Sequence, residues 1–234
     1  MLNKRIIGVK LEEFIKKYGS IYDEDMLDYI KENFFTMYGS KETTDVLRQI
    51  YSDLDMYEED ENLYIEHLNK IKSNFNIESD VLEVAGGCIP SFANILAKEQ
   101  IKLGKGTITV YDPSLVKTES KYSNLKLYKN SFYLDTDVSK FNLIVGLYPC
   151  NATLNIIESA CVNKKDFYVA MCGCVHFDFI RSMQYGMSPA IYQDYIISNA
   201  KRLLEENNNG TLVIDEINEK YGESEYPVLY NKRS

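Results

Sequence analysis

The chain has 234 residues, 26 basic and 35 acidic side chains, a formal net charge of −9 and 45% hydrophobic residues. That is enough apolar material to bury a full core for one domain plus an appendage, and a negative balance that disfavours a duplex-binding protein. Apolar runs such as 143–147 are too short to span a bilayer, the charged N-terminus leads into no signal-peptide core, and five cysteines make no secreted disulfide framework, so a cytoplasmic protein with reduced thiols is expected.

Residues 1–78 read as a helical N-terminal region. Leu11, Phe14 and Ile15 share a helical face, as do Met26, Leu27, Ile30 and Phe34, then Val46, Leu47, Ile50 and Leu54. Leu63, Leu68, Ile71 and Phe75 continue the spacing in a last helix, and Gly19-Ser20 and Gly39-Ser40 are stops between helices. The acidic run Glu58-Glu59-Asp60-Glu61 reads as a solvated helix start or loop.

From residue 79 short β-rich runs alternate with helical stretches, the pattern of parallel-sheet units. The first strand, 81–84, ends in an acid and a small-residue turn, Glu83-Val84-Ala85-Gly86-Gly87-Cys88-Ile89-Pro90, before a helix from near Ser91. A doubly wound α/β domain builds a nucleotide-sized site in this way, with backbone close to the ligand and the N–H groups of a helix aimed at it. Further strands are expected at 107–111, 125–128, 141–147 and 167–171, with helices near 152–161 and 191–206. The runs 211–217 and 226–230 are too close for a parallel crossover and should pair antiparallel at one edge. The fold class is therefore α/β: a Rossmann-like doubly wound sheet, mostly parallel, with a C-terminal antiparallel hairpin and a helical region in front.

Asp112 closes the second strand about 25 residues past the glycine turn, the spacing of an acid that accepts ribose hydroxyls. The other reading of Asp112 is a cap of the Asp112-Pro113-Ser114 turn.

Together these residues resemble the class I S-adenosylmethionine-dependent methyltransferases, over about two thirds of the chain from Asp80 onward. Glu83 matches the acid that ends strand one in that family. Ala85 stands at the first glycine of its G-x-G-x-G turn, Gly87 matches the second, and Ile89-Pro90 replace the third. Gly86-Gly87 with Pro90 is similar to the G-x-G-x-x-P form of divergent members. Alanine at position 85 should exclude a positive φ at low cost. Asn142 stands where an acid commonly precedes strand four. The resemblance implies S-adenosylmethionine as cofactor, held by Glu83, Ala85, Gly86, Gly87, Asp112, Pro113 and Leu147, with Asn130, Ser131 and Phe132 at the adenine.

Methyl transfer from a sulfonium needs alignment above all, and a base only where the acceptor loses a proton. Tyr148 and Asn151, after strand four, are placed to touch an acceptor, although Tyr148 also reads as a cap over the sheet edge. His176, with Asp178 to orient it, is the candidate base after strand five; His67 reads as structural or exposed. Tyr148-Pro149-Cys150-Asn151 is not the Asp/Asn-Pro-Pro-Tyr motif of nucleic-acid amino methyltransferases. Cys88, Cys150, Cys172 and Cys174 should crowd one sheet edge near His176, but their spacing fits no standard zinc site, and no metal is expected.

The expected function is a methyltransferase for a small-molecule or otherwise unidentified acceptor, with residues 1–78 covering the site and residues 79–234 forming the catalytic domain. Two alternatives stay open. Ala85, Ile89 and Asn142 lean toward a non-catalytic binding or assembly domain, and the proline-ended loop is also similar to that of nicotianamine-synthase-type aminocarboxypropyl transferases.

Overall fold

A computed structural model describes residues 64–87, 90–115, 118–171, 189–216 and 227–233, all within a unit spanning Tyr64–Ser234. The helices expected before Tyr64 lie outside the described residues.

Helix α1 (Ile65–Asn74) leads into β1 (Val81–Val84), α2 (Ser91–Leu103), β2 (Ile108–Tyr111), β3 (Leu125–Tyr128) and β4 (Leu143–Leu147). A 3-10 turn (Cys150–Ala152), α3 (Thr153–Val162), β5 (Asp166–Ala170), α4 (Pro189–Asn207), β6 (Thr211–Asp215) and β7 (Val228–Lys232) complete it. The seven strands form one sheet in the order β3-β2-β1-β4-β5-β7-β6. β1 to β5 run parallel, and β7 runs antiparallel to both β5 and β6. The strands match the sequence expectation within a few residues. The largest difference is β7, at Val228–Lys232 rather than 226–230; β4 starts at Leu143 rather than 141, and β6 ends at Asp215 rather than 217.

Both faces of the sheet are covered, which is why its central strands read as nearly continuous apolar runs. On one face Val81, Val145 and Tyr168 pack with Leu68 and Ile71 of α1 and Phe92, Ile95 and Leu96 of α2. On the other, Leu82, Val84, Ile144, Phe167 and Val169 pack with Ile156 and Ile157 of α3 and Ile196, Ala200 and Leu203 of α4. Period-two alternation sends Leu82 and Val84 to the second face, which leaves Glu83 on the same face as Val81, under α2.

Two buried asparagines fasten the C-terminal strands. Asn231 accepts the Phe167 amide at 2.8 Å and donates to the Asn209 carbonyl at 3.1 Å, and Asn209 donates to the Lys165 carbonyl at 2.8 Å. Among the described residues no helix is long and apolar enough to cross a membrane.

Candidate functional site

The carboxyl ends of β1, β2 and β4 lie side by side, so their outgoing loops share one rim of the sheet. The β1 ladder runs one residue past the strand, the Ala85 amide donating to the Tyr111 carbonyl at 2.9 Å. Ala85 then takes φ 59, contrary to the expectation that alanine excludes a positive φ here. A left-handed non-glycine residue costs on the order of 1–2 kcal/mol, which the surrounding ladder must offset. Gly87 follows at φ 82. Between them, a Cβ on Gly86 would meet Val110 Cγ1 at 3.0 Å and the Glu83 carboxyl carbon at 3.3 Å, so the turn lies tight on both.

Glu83 is 3% exposed. Burial, and then the nearby Asp112 carboxylate, push its carboxyl up to about 8, against a smaller opposing effect from the Ala93 amide that it accepts. Helix α2 has no side-chain cap at Pro90, so Glu83 serves an N–H of its first turn instead. Glu83 Oε2 and Asn94 Nδ2, both buried, have no hydrogen-bond partner among the described residues. Such orphan groups are costly unless something else meets them.

Asp112, 5% exposed, ties two loops together. Its Oδ2 accepts the Gly87 amide at 2.8 Å, and its Oδ1 accepts the Ser114 amide at 2.6 Å and the Ser114 hydroxyl. One oxygen caps its own turn, as the second sequence reading of Asp112 has it, and the other reaches the glycine loop.

At the tip of β4, Leu147 is 8% exposed in the core and Tyr148 turns out at φ 55, its amide fixed by the Ala170 carbonyl at 2.8 Å. A bulky residue there is an outlier, and strain of this kind clusters at functional sites. The Tyr148 hydroxyl lies 3.2 Å from His67 Nε2, and His67 Nδ1 lies 2.9 Å from the Tyr168 hydroxyl. His67 is 1% exposed, so of its two sequence readings the structural one fits and the exposed one does not.

A sheet ordered β3-β2-β1-β4-β5-β7-β6, with β7 alone reversed against its parallel neighbour and an acid ending β1, is the arrangement the resemblance implies. The fold is a Rossmann-like doubly wound α/β sheet with a C-terminal antiparallel hairpin. No family model and no curated relative matches the chain. Among solved structures, a SAM-dependent methyltransferase from Aquifex aeolicus aligns at 13% identity and TM-score 0.46, over 83% of this chain and 98% of that one. Human N-acetylserotonin methyltransferase in complex with SAM aligns at 12% and 0.46, over 97% of this chain and 66% of that one. The CurJ carbon methyltransferase aligns at 13% and 0.45, over 79% and 57%. The chain therefore spans less than two thirds of the length of the last two.

Within this fold the other expected site residues scatter. Pro113, Asn130, Ser131 and Asn151 are exposed near the rim. Phe132, expected at an adenine, is 6% exposed and packs into the core with Val138 and Phe141. Asn142 precedes β4 at the opposite end of the sheet, its amide on the Asp80 carbonyl at 2.9 Å, so its identity does not bear on the rim. His176, Asp178, Cys88, Cys172, Cys174 and the side chain of Cys150 lie outside the described residues. Cys161 is buried, and burial pushes its thiol up to about 11. Among the described residues no group of three or more His, Cys, Asp or Glu side chains is placed to hold a metal.

His67 is the residue that sequence reasoning missed. Tyr64, His67, Leu68, Ile71 and Phe75 stand at i, i+3, i+4, i+7 and i+11, so the histidine occupies an apolar-stripe position where a polar group must find a buried partner.

Proposed function

We propose that the chain is an S-adenosylmethionine-dependent methyltransferase acting on a small-molecule acceptor. The observation that carries the reading is the joining of two strand tips, the Gly87 amide on Asp112 Oδ2 at 2.8 Å, above a buried Glu83 whose Oε2 is unpartnered. At Gly86 the backbone lies too close to Val110 and Glu83 for a side chain, the close approach that glycine permits.

The residues present fit the cofactor. An ionised carboxylate has about four acceptor sites, and Asp112 uses three of them, for Gly87 N–H, Ser114 N–H and the Ser114 hydroxyl. Capacity for a ribose hydroxyl remains. Two buried carboxyl groups near one another also suit a cation: a positive group beside Glu83 favours its ionised form and offsets the repulsion from Asp112. When bound, the cofactor supplies an electrophilic methyl group on a sulfonium. Gly86, Gly87 and Asp112 would hold and orient it, and Tyr148 and Asn151, at the neighbouring tip of β4, would receive the acceptor.

A thermal shift with S-adenosylmethionine and S-adenosylhomocysteine tests this. A ligand at 100 times its Kd adds about 2.7 kcal/mol, which for a chain of this size raises Tm by roughly 5–11 °C. No shift with either compound overturns the reading. It would favour a non-catalytic binding domain, the second reading, for which the observation is that Ser114 already occupies Asp112 Oδ1.

A further inference from the structure

The glycine turn and α2 close over a carboxyl group that faces no basic side chain among the described residues. We propose that Glu83 holds a proton in the ligand-free protein and gives it up when the cationic cofactor binds, so that cofactor binding is coupled to proton release. The proposal rests on the methyltransferase reading above and names the regulation of that same site.

Glu83 is enclosed from each side. Its neighbours across the sheet are Val110 on β2 and Val145 on β4, both fully buried. A Cβ on Gly86 would stand 3.3 Å from the Glu83 carboxyl carbon and 3.4 Å from Oε2, so the turn rests directly on the carboxyl group. Helix α2 supplies the Ala93 amide, which donates to this carboxyl, and carries no charged side chain before Lys98. In α1, packed on the same face, His67 is turned to Tyr168 and Tyr148, while Lys70 and Lys72 pair with Asp215 and Glu99. Among the described residues the one charged group that acts on Glu83 is the Asp112 carboxylate, of like sign.

The two carboxyl groups are unequally provided for. Both oxygens of Asp112 accept backbone N–H groups, from Gly87 at 2.8 Å and from Ser114 at 2.6 Å. Glu83 has the Ala93 amide, and its Oε2 meets nothing among the described residues. An ionised oxygen left bare in the interior costs far more than a neutral one in the same place. Burial first, and then Asp112, push the Glu83 carboxyl up to about 8, so the proton of the pair belongs to Glu83 at neutral pH.

A cation above the turn changes that balance. At about 6–8 Å from the carboxyl and an effective dielectric of about 20, a unit positive charge favours the ionised form by a factor of about 30–100. The O–H bond of Glu83 breaks, the electron pair stays on the carboxylate and the proton leaves to solvent. No bond to the cofactor forms, and Glu83 acts through space with the Gly86 backbone between. Well below about pH 6 the proton stays in both states and the coupling vanishes. From there to about 8 affinity rises with pH, and above about 8 it levels off, because the ligand-free protein has lost the proton too.

The test is titration calorimetry of S-adenosylmethionine into the full chain at pH 7, in buffers of different ionisation heat. The wild type should release about 0.7–0.8 of a proton per cofactor bound. Glu83→Gln keeps an acceptor for the Ala93 amide but cannot ionise, and should release close to none. It should bind about four- to tenfold more weakly than the wild type at pH 7, and nearly equally at about pH 5.5. Proton release that survives in Glu83→Gln, or a variant as tight as the wild type at pH 7, overturns the proposal.

A second measurement needs no variant. Infrared difference spectra of the wild type with and without S-adenosylmethionine should show loss of the carbonyl band of a buried protonated carboxyl group. Cofactor binding without that loss, and without proton release in the calorimeter, overturns this inference alone. A wild type that binds no S-adenosylmethionine overturns the methyltransferase reading and this inference with it.

Discussion

Ala85 and Tyr148 leave adjacent strands in the same left-handed backbone conformation, φ 59 and φ 55. Neither is a glycine, so both tips carry strain that a chain selected for stability alone would lose. Ala85→Gly should raise stability by about 1 kcal/mol, or roughly 2–4 °C in Tm. Thermal unfolding measures this directly, and a lower Tm for the variant would show that the Ala85 methyl packs more than its backbone strains.

Glu83 makes stability depend on pH with a definite sign. Its folded value is raised to about 8 from 4.5, so between those values the folded chain holds a proton that the unfolded chain has lost. The stabilisation is complete below about 4.5 and falls away as pH rises to about 8, by at most about 1.4 kcal/mol per pH unit. Glu83→Gln lacks this titration, so its Tm should gain on the wild type steadily from pH 5 to 8 and run parallel above. Curves that stay parallel throughout would place Glu83 in a wetter setting.

Asp112→Asn replaces one acceptor oxygen with a donor that faces either the Gly87 amide or Ser114. If a ribose also depends on this carboxylate, S-adenosylhomocysteine affinity falls by about 1–3 kcal/mol. Calorimetry on both proteins decides it, and equal affinities would assign Asp112 to the turn and the loop only.

Asn231→Ala strips the acceptor from the buried Phe167 amide and the donor from the Asn209 carbonyl. Leaving buried groups unmet costs about 1–3 kcal/mol. Denaturant unfolding should show a lower midpoint with an unchanged slope, and a loss below a few tenths of that range would mean that water replaces the amide.

The strands of this protein were legible because both faces of the sheet are covered. Runs such as 143–147 stay apolar at every position, and the acid at Asp112 marks the strand tip after Ile108–Tyr111. Phe141 was drawn into the fourth strand because an apolar residue beside an apolar run carries no signal for where pairing starts. It is in fact buried in the core ahead of the ladder. Period alone also could not separate Phe132 in the core from a ring at the rim, since both demand a large apolar residue after β3. His67 was missed for a related reason. A histidine one position before Leu68 looks like the polar edge of a helix until the sheet supplies Tyr168 and Tyr148, 101 and 81 residues away in sequence, as its partners.

The seating of β7 between β5 and β6 imposes an order on assembly. As the chain is synthesised, β5 must wait with an open edge while α4 and β6 emerge, and β6 has nothing in the sheet to join until residues 228–232 arrive. The seating of β7 is therefore a wedge that covers the edge of β5 and gives β6 its neighbour in the sheet.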